Sequence, residues 1–364
     1  MSPGAPLLVV VGAGGVGKTT LAAALGVTAA RRDRDTLVMT FDPSLRLKDA
    51  LGVGEEARYQ EAEVAVGAEL GAPGRLDASL LDASHTFDRL VRLYAPDEAA
   101  RQRILTNRYY QHLSGSLSGV LEYMAVERLF EVATEGRYQQ VILDTPPTRQ
   151  ALDFLEAPER IIRFLDSSVL KLAKKDWFDA EGKLKSTSRF RFVSRRIEGF
   201  LDRILGLQFL SEVAEFFQAF DPLYAGFRER ADEVRRLLRS ERTRFLLVTG
   251  PGEERIPDTF FFARKLQEAG LHLAGVVVNR THPRLPAEIP AEMLRCGKER
   301  RRGLEEGWRL LHWLGERDFE GLAQLRHLMG KDADSLIEVP MMAKEPTDLP
   351  SLAALGGDVY DRLG

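Results

Sequence analysis

Residues 7 to 20 read LLVVVGAGGVGKTT, and no other stretch restricts the fold of the chain so tightly. Gly12, Gly17, Lys18 and Thr19 fill the fixed places of G-x-x-x-x-G-K-[ST]. Ahead of them, Leu7 to Val11 has the length and branching of a buried parallel strand. Behind them, Leu21 to Ala30 is rich in Ala and Leu and predicts a helix. A glycine-rich loop can be a simple turn, but the intact Gly-Lys-Thr between strand and helix favours a phosphate cradle. Glycines at 12, 14, 15 and 17 let several backbone N–H groups converge on one phosphate without a Cβ in the way. The helix that follows directs its first N–H groups at the same anion. Lys18 adds a point charge for β- and γ-phosphates, and Thr19 offers a hydroxyl to Mg²⁺, which prefers oxygen ligands.

Further short apolar, β-branched runs recur between helical stretches: Thr36–Phe41, Val141–Asp144, Phe245–Thr249, Leu273–Asn279 and Leu336–Val339. Their near-continuous hydrophobicity suits strands covered on both faces, so the chain is expected to be an α/β protein with a doubly wound, mostly parallel sheet. Two insertions, residues 85–135 and 152–240, carry helical periodicity and are expected to form a helical subdomain. Residues 1–84, 136–151 and 241–364 then make the nucleotide-binding core. In the second insertion Phe209, Val213, Phe216, Phe217 and Phe220 recur at helical steps, followed by Leu223 and Phe227. That pattern reads as a helix packed on its neighbours, with a partner or lipid groove as the alternative.

The composition narrows the partners. A formal net charge of −3 gives no global attraction to nucleic acid or an anionic membrane. Residues 171–203 hold ten Lys/Arg against five Asp/Glu, with Trp177, Phe178, Phe190 and Phe192 interleaved. A solvated connector is the commoner form of such a segment, with single-stranded nucleic acid or a membrane surface as the rival readings. Lys298 to Arg302 likewise reads as a solvated helix face, with an acidic-partner site as the rival. The lone Cys296 excludes an internal disulfide and a multi-thiolate metal site within one chain, and it points to a reducing, cytosolic setting. No run approaches the ~18 apolar residues of a spanning helix, so a soluble, unprocessed chain is expected.

Two aspartates fall at expected strand ends. Asp144 closes an apolar run and matches the acidic residue that phosphate-loop enzymes use beside Mg²⁺, with a helix N-cap as the alternative. Asp42 is suited to orient a water for in-line attack on a γ-phosphate, and Pro43 after it also permits an N-cap.

The set GAGGVGKTT, TFDPSLRLKDALG, LDTPPTRQALDFL, VVVN and VPMMAKEP, in this order and over nearly the whole chain, resembles the ArsA/Get family of ATPases. That family comprises arsenite-pump ATPases and factors that target tail-anchored membrane proteins. The resemblance implies an ATP- and Mg²⁺-dependent dimeric switch in which Gly12, Ala13, Gly14, Gly15, Val16, Gly17, Lys18, Thr19 and Thr20 cradle the phosphates. Thr19 and Asp144 serve the metal, Asp42 and Lys18 are catalytic, Asn279 reads adenine, and Pro340 lies in the adenine-side loop. Arg280-Thr281-His282 after Asn279 departs from the N-K-x-D of guanine readers.

The family's loop usually reads G-K-G-G-V-G-K-T, its first lysine reaching a partner's phosphates across a dimer; Ala13 stands there. Either another residue, such as Arg46 or Arg149 near the two aspartates, supplies the trans charge, or the chain pairs with a paralogue that carries the lysine. The alternative is a nucleotide-bound scaffold with little turnover, and a phosphate-loop kinase is a third reading. One cysteine does not meet the thiol needs of zinc or arsenite. The client, protein or lipid, is not specified, and transient membrane association stays open.

Overall fold

The computed structural model describes residues 7–40, 46–58, 60–81, 83–95, 97–106, 120–146, 156–160, 162–163, 224–295 and 297–363. In chain order the elements are β1 (Leu7–Gly12), α1 (Lys18–Arg31), β2 (Thr36–Thr40), α2 (Arg46–Leu51), β3 (Ala62–Glu63), α3 (Val66–Leu70) and β4 (Leu76–Leu80). Next come α4 (Ala83–Tyr94), α5 (Glu98–Leu105), α6 (Val120–Glu135), β5 (Gln140–Asp144), α7 (Tyr224–Leu238) and β6 (Thr243–Thr249). The chain continues through α8 (Ile256–Glu268), β7 (Leu273–Thr281), α9 (Lys298–Met329), β8 (Leu336–Pro340) and α10 (Leu349–Leu363).

The eight strands form one sheet in the order β3-β4-β2-β5-β1-β6-β7-β8, parallel throughout except for the antiparallel β3–β4 edge. This is the doubly wound α/β architecture expected from the apolar runs. β1 lies buried along its whole length, because Leu8 and Val10 face one layer of helices while Leu7, Val9 and Val11 face the other way. On the first face α1 and α10 pack with Val38, Ile142, Leu246, Val248 and Val277. On the second, α8 is joined to the sheet where the Thr259 hydroxyl donates to Thr249 at 2.9 Å. α1 is apolar nearly all round, as a helix covered on both sides must be.

β3 and β4 have no counterpart among the expected strands. β4 reads LDASL, and its buried Asp77 and Ser79 break the apolar run. Burial of that carboxylate is offset by a Tyr138 hydroxyl at 2.6 Å, Arg75 Nε at 2.8 Å and Arg137 Nη2 at 3.2 Å. Loss of water and the bond to Asp77 together push the Tyr138 phenol well above its ordinary range, which keeps it a donor.

The chain divides into two compact units, one of Met1–Leu81, Leu129–Leu152 and Leu237–Gly364, the other of Asp82–Arg128 and Asp153–Arg236. Within the second, α6 and α7 meet through Tyr123 and Phe227, with ring centroids 6.4 Å apart. Beside that pair Arg230 Nε donates to buried Glu127 at 2.6 Å. Phe227 is thus a core residue; the phenylalanines at 209, 216, 217 and 220 and the basic stretch 171–203 lie outside the described residues. Arg301 and Arg302 sit on an exposed face of α9, paired with Glu305 and Glu306 one turn on. Among the described residues, no helix is long and apolar enough to cross a membrane.

Candidate functional site

Sheet register sets the site. Val10 of β1 and Thr40 of β2 both pair with Asp144 of β5, so β2 and β5 end level with one another and β1 runs on to Gly12. Asp144 is almost fully buried, and its Oδ2 accepts hydrogen bonds from the Thr19 hydroxyl at 2.7 Å and the Thr40 hydroxyl at 3.1 Å. Thr145 secures the turn that follows, its hydroxyl donating to the Val10 carbonyl at 2.8 Å. Asp144 and Thr19, 125 positions apart in the chain, therefore come together as the resemblance implies. Thr40 is a member of this cluster that the sequence reading did not single out. Its signal was present, a hydroxyl closing the apolar run TLVMT, but its partner depends on register.

The loop between β1 and α1 needs its glycines for two separate reasons. Gly12, at φ +147°, passes so close to β6 that a Cβ would lie 2.0 Å from the Val248 carbonyl oxygen. Gly17 caps α1 in the left-handed region, at φ +93°, with no side chain bonding the first-turn N–H groups. Those amides are left for an anion. Lys18 is only 7% exposed, and its Nζ donates to the Ala13 carbonyl at 2.9 Å, which folds the ammonium over the loop. Gly14 and Gly15 are exposed at the tip, while Val16 turns into the core between them and α1.

A cavity of about 470 Å³ opens beside the loop, lined by Gly17, Thr20, Asn279, Pro340, Met341 and Met342 among others. Arg46, Arg280, Lys344, Asp49 and Glu345 supply its charged wall, with Arg280 and Glu345 3.7 Å apart. Asn279 and Pro340 are thus next to the glycine loop, although they lie on different strands. The two exposed methionines after Pro340 offer polarizable apolar surface suited to a flat ring. Asp42 and Arg149 fall outside the described residues, whereas Arg46 is exposed at the start of α2.

The donor set fits a magnesium triphosphate: hard oxygen ligands at Thr19 and Asp144, a loop whose glycines leave room for phosphate oxygens, and one buried ammonium. Strand, glycine loop and capless helix at the carboxyl edge of a parallel sheet define the class of phosphate-loop nucleotide-binding proteins. The chain belongs to the anion-transporting ATPase (ArsA) family, whose model matches residues 6–302. It is 28% identical over 337 residues to an uncharacterized protein of Streptomyces coelicolor, covering 92% of this chain and 75% of the relative. It is 27% identical over 279 residues to ATPase GET3 of Podospora anserina, covering 74% and 71% of the two chains. With ATPase get3 of Aspergillus terreus the identity is 28% over 166 residues, 45% of each chain. The match thus spans less than half of that relative's length.

Proposed function

We propose that this protein is a magnesium-dependent, ATP-hydrolysing switch that works as a dimer in the cytoplasm, its helical insertions at residues 85–135 and 152–240 responding to the γ-phosphate. The observation that carries this reading is the convergence of the Thr19 and Thr40 hydroxyls on one oxygen of Asp144, beside a loop whose helix-end amides have no side-chain cap. Gly12 to Thr20 bind the phosphates, and Lys18 moves its ammonium from the Ala13 carbonyl to the β/γ oxygens. Thr19 and Asp144 hold Mg²⁺, which when bound neutralises charge on those oxygens. Asp42 accepts a hydrogen bond from the attacking water and so aims it, while Asn279 and Pro340 border the base. Membership of an ATPase family supports the nucleotide and the reaction class. A protein or lipid client, held by the helical insertions and brought transiently to a membrane, completes the reading.

Ala13 favours a second reading, a nucleotide-bound regulatory subunit with little turnover that pairs with a paralogue. Its methyl group carries no charge to offer across a dimer, where the usual loop of the family it resembles has lysine.

Calorimetric titration of Mg-ATP into wild type and Lys18→Ala, with phosphate release by wild type and Asp42→Asn, tests both readings. Binding heats lost in Lys18→Ala and turnover lost in Asp42→Asn are expected. Equal, negligible heats would overturn the nucleotide reading, and tight binding without phosphate release would favour the regulatory subunit.

A further inference from the structure

Asn279 does something that a reader of adenine does not need to do. Its Nδ2 donates to the main-chain carbonyl of Val16, inside the phosphate loop, at 2.7 Å, and the pair is buried. The contact is close on its other side as well: a Cβ on Gly17 would stand 2.4 Å from the same Nδ2. Asn279 is itself fixed, since its strand pairs with β6 through Val278 and Thr249 and with β8 through Val339. One residue on, Arg280 adopts φ +65° at an irregularity in the β7–β8 pairing, and the strand ends one residue later, at Thr281. The amide of Asn279 therefore ties a glycine-rich loop, which has little conformational resistance of its own, to the rigid sheet.

We propose that Asn279 is a positioning residue that braces the phosphate loop from the base side, so that it contributes to binding of the triphosphate whatever base is attached. The proposal rests on the reading of this site as a nucleotide site, yet its first test needs no nucleotide. Removing the amide leaves the Val16 carbonyl without that donor and frees Gly17 to wander about its left-handed conformation. A loop that samples more conformations binds any phosphate chain more weakly, because it must be ordered at the moment of binding.

The experiment compares wild type, Asn279→Ala and Asn279→Asp. The aspartate keeps the shape of the asparagine but cannot donate to Val16, which covers the case in which the alanine variant fails to fold. In the ligand-free protein, amide exchange across residues 13–19 is expected to rise in both variants while that of β1 is unchanged. Titration with magnesium tripolyphosphate, which has no base, is expected to weaken on the order of tenfold, about as much as titration with Mg-ATP. Unchanged exchange, or a loss confined to Mg-ATP with tripolyphosphate binding intact, would overturn the brace and leave Asn279 a base reader only. Wild type that binds neither ligand would overturn the nucleotide reading, and the exchange comparison would still decide the brace.

Discussion

At the scale of single residues, Asp144 is the point on which the site turns. It lies at the end of β5, and two threonine hydroxyls from α1 and β2 fix the same oxygen. Hydrogen bonds to an ionised carboxylate are stronger than neutral ones, so both threonines hold the carboxylate in one rotamer. Thr40→Val keeps the volume and removes one donor. It is expected to weaken Mg-ATP binding by roughly threefold to tenfold, about 1 kcal/mol, and to leave magnesium-free ATP binding nearly unchanged. Calorimetry with and without Mg²⁺ measures the difference, and an equal loss in both conditions would mean that Thr40 acts on the fold alone. Thr40 also ends the strand that leads toward Asp42, so the carboxylate proposed to serve the metal is bonded by a residue two positions before the one proposed to aim the water.

At the scale of elements, two buried carboxylates hold helices in place. Glu127 of α6 is almost wholly buried and receives Arg230 of α7 at 2.6 Å. Arg230→Ala removes a charged donor from this buried carboxylate and is expected to cost about 3 kcal/mol in denaturant unfolding, well above an ordinary surface change. Asp318 of α9 accepts from the His282 backbone N–H at 2.9 Å and from its ring at 2.7 Å, with the Arg317 guanidinium 2.8 Å away. Burial alone would raise this carboxyl, but these donors outweigh it and hold it below the usual carboxylate range. A depressed folded pKa means stability that is complete above the unfolded value, near 4, and is lost as pH falls through the folded one. Acid unfolding of the wild type should therefore lose this contribution below about pH 4, and Asp318→Asn should show a flatter profile there. Strands β1, β2, β5, β6, β7 and β8 were legible because burial on both faces demands unbroken apolar runs. β4 was not: its Asp77 is tolerated only through Arg75, Arg137 and Tyr138, and two of those three come from 60 residues or more downstream. The strand, glycine loop and helix around Gly12 to Thr20 were legible from the motif's spacing, and the strand end at Asp144 from the apolar run before it. The bond from Asn279 to Val16, 263 positions apart, was not, because only the folded sheet brings them together.

At the scale of the whole molecule, the rate of the proposed ATP turnover is a matter of assembly and charge. Where an arginine finger is supplied to a phosphoryl-transfer site, the gain is about 10³ to 10⁵ in rate. Ala13→Lys is therefore expected to raise ATP turnover per site by at least tenfold if two copies of this chain face each other, and to do nothing if Arg46 already fills that role. Phosphate release across a protein dilution series separates these outcomes, since a trans contribution falls away as the dimer dissociates. The covering of α1 by α10 has a different consequence. Gly356 lies so near the Ala24 carbonyl that a Cβ there would be 2.2 Å away, and Tyr360 donates to Gln140 at 2.9 Å. The helix that begins at Lys18 is thus roofed by one that begins at Leu349, far along the chain. During synthesis its apolar flank therefore has no such cover until more than three hundred further residues have been added.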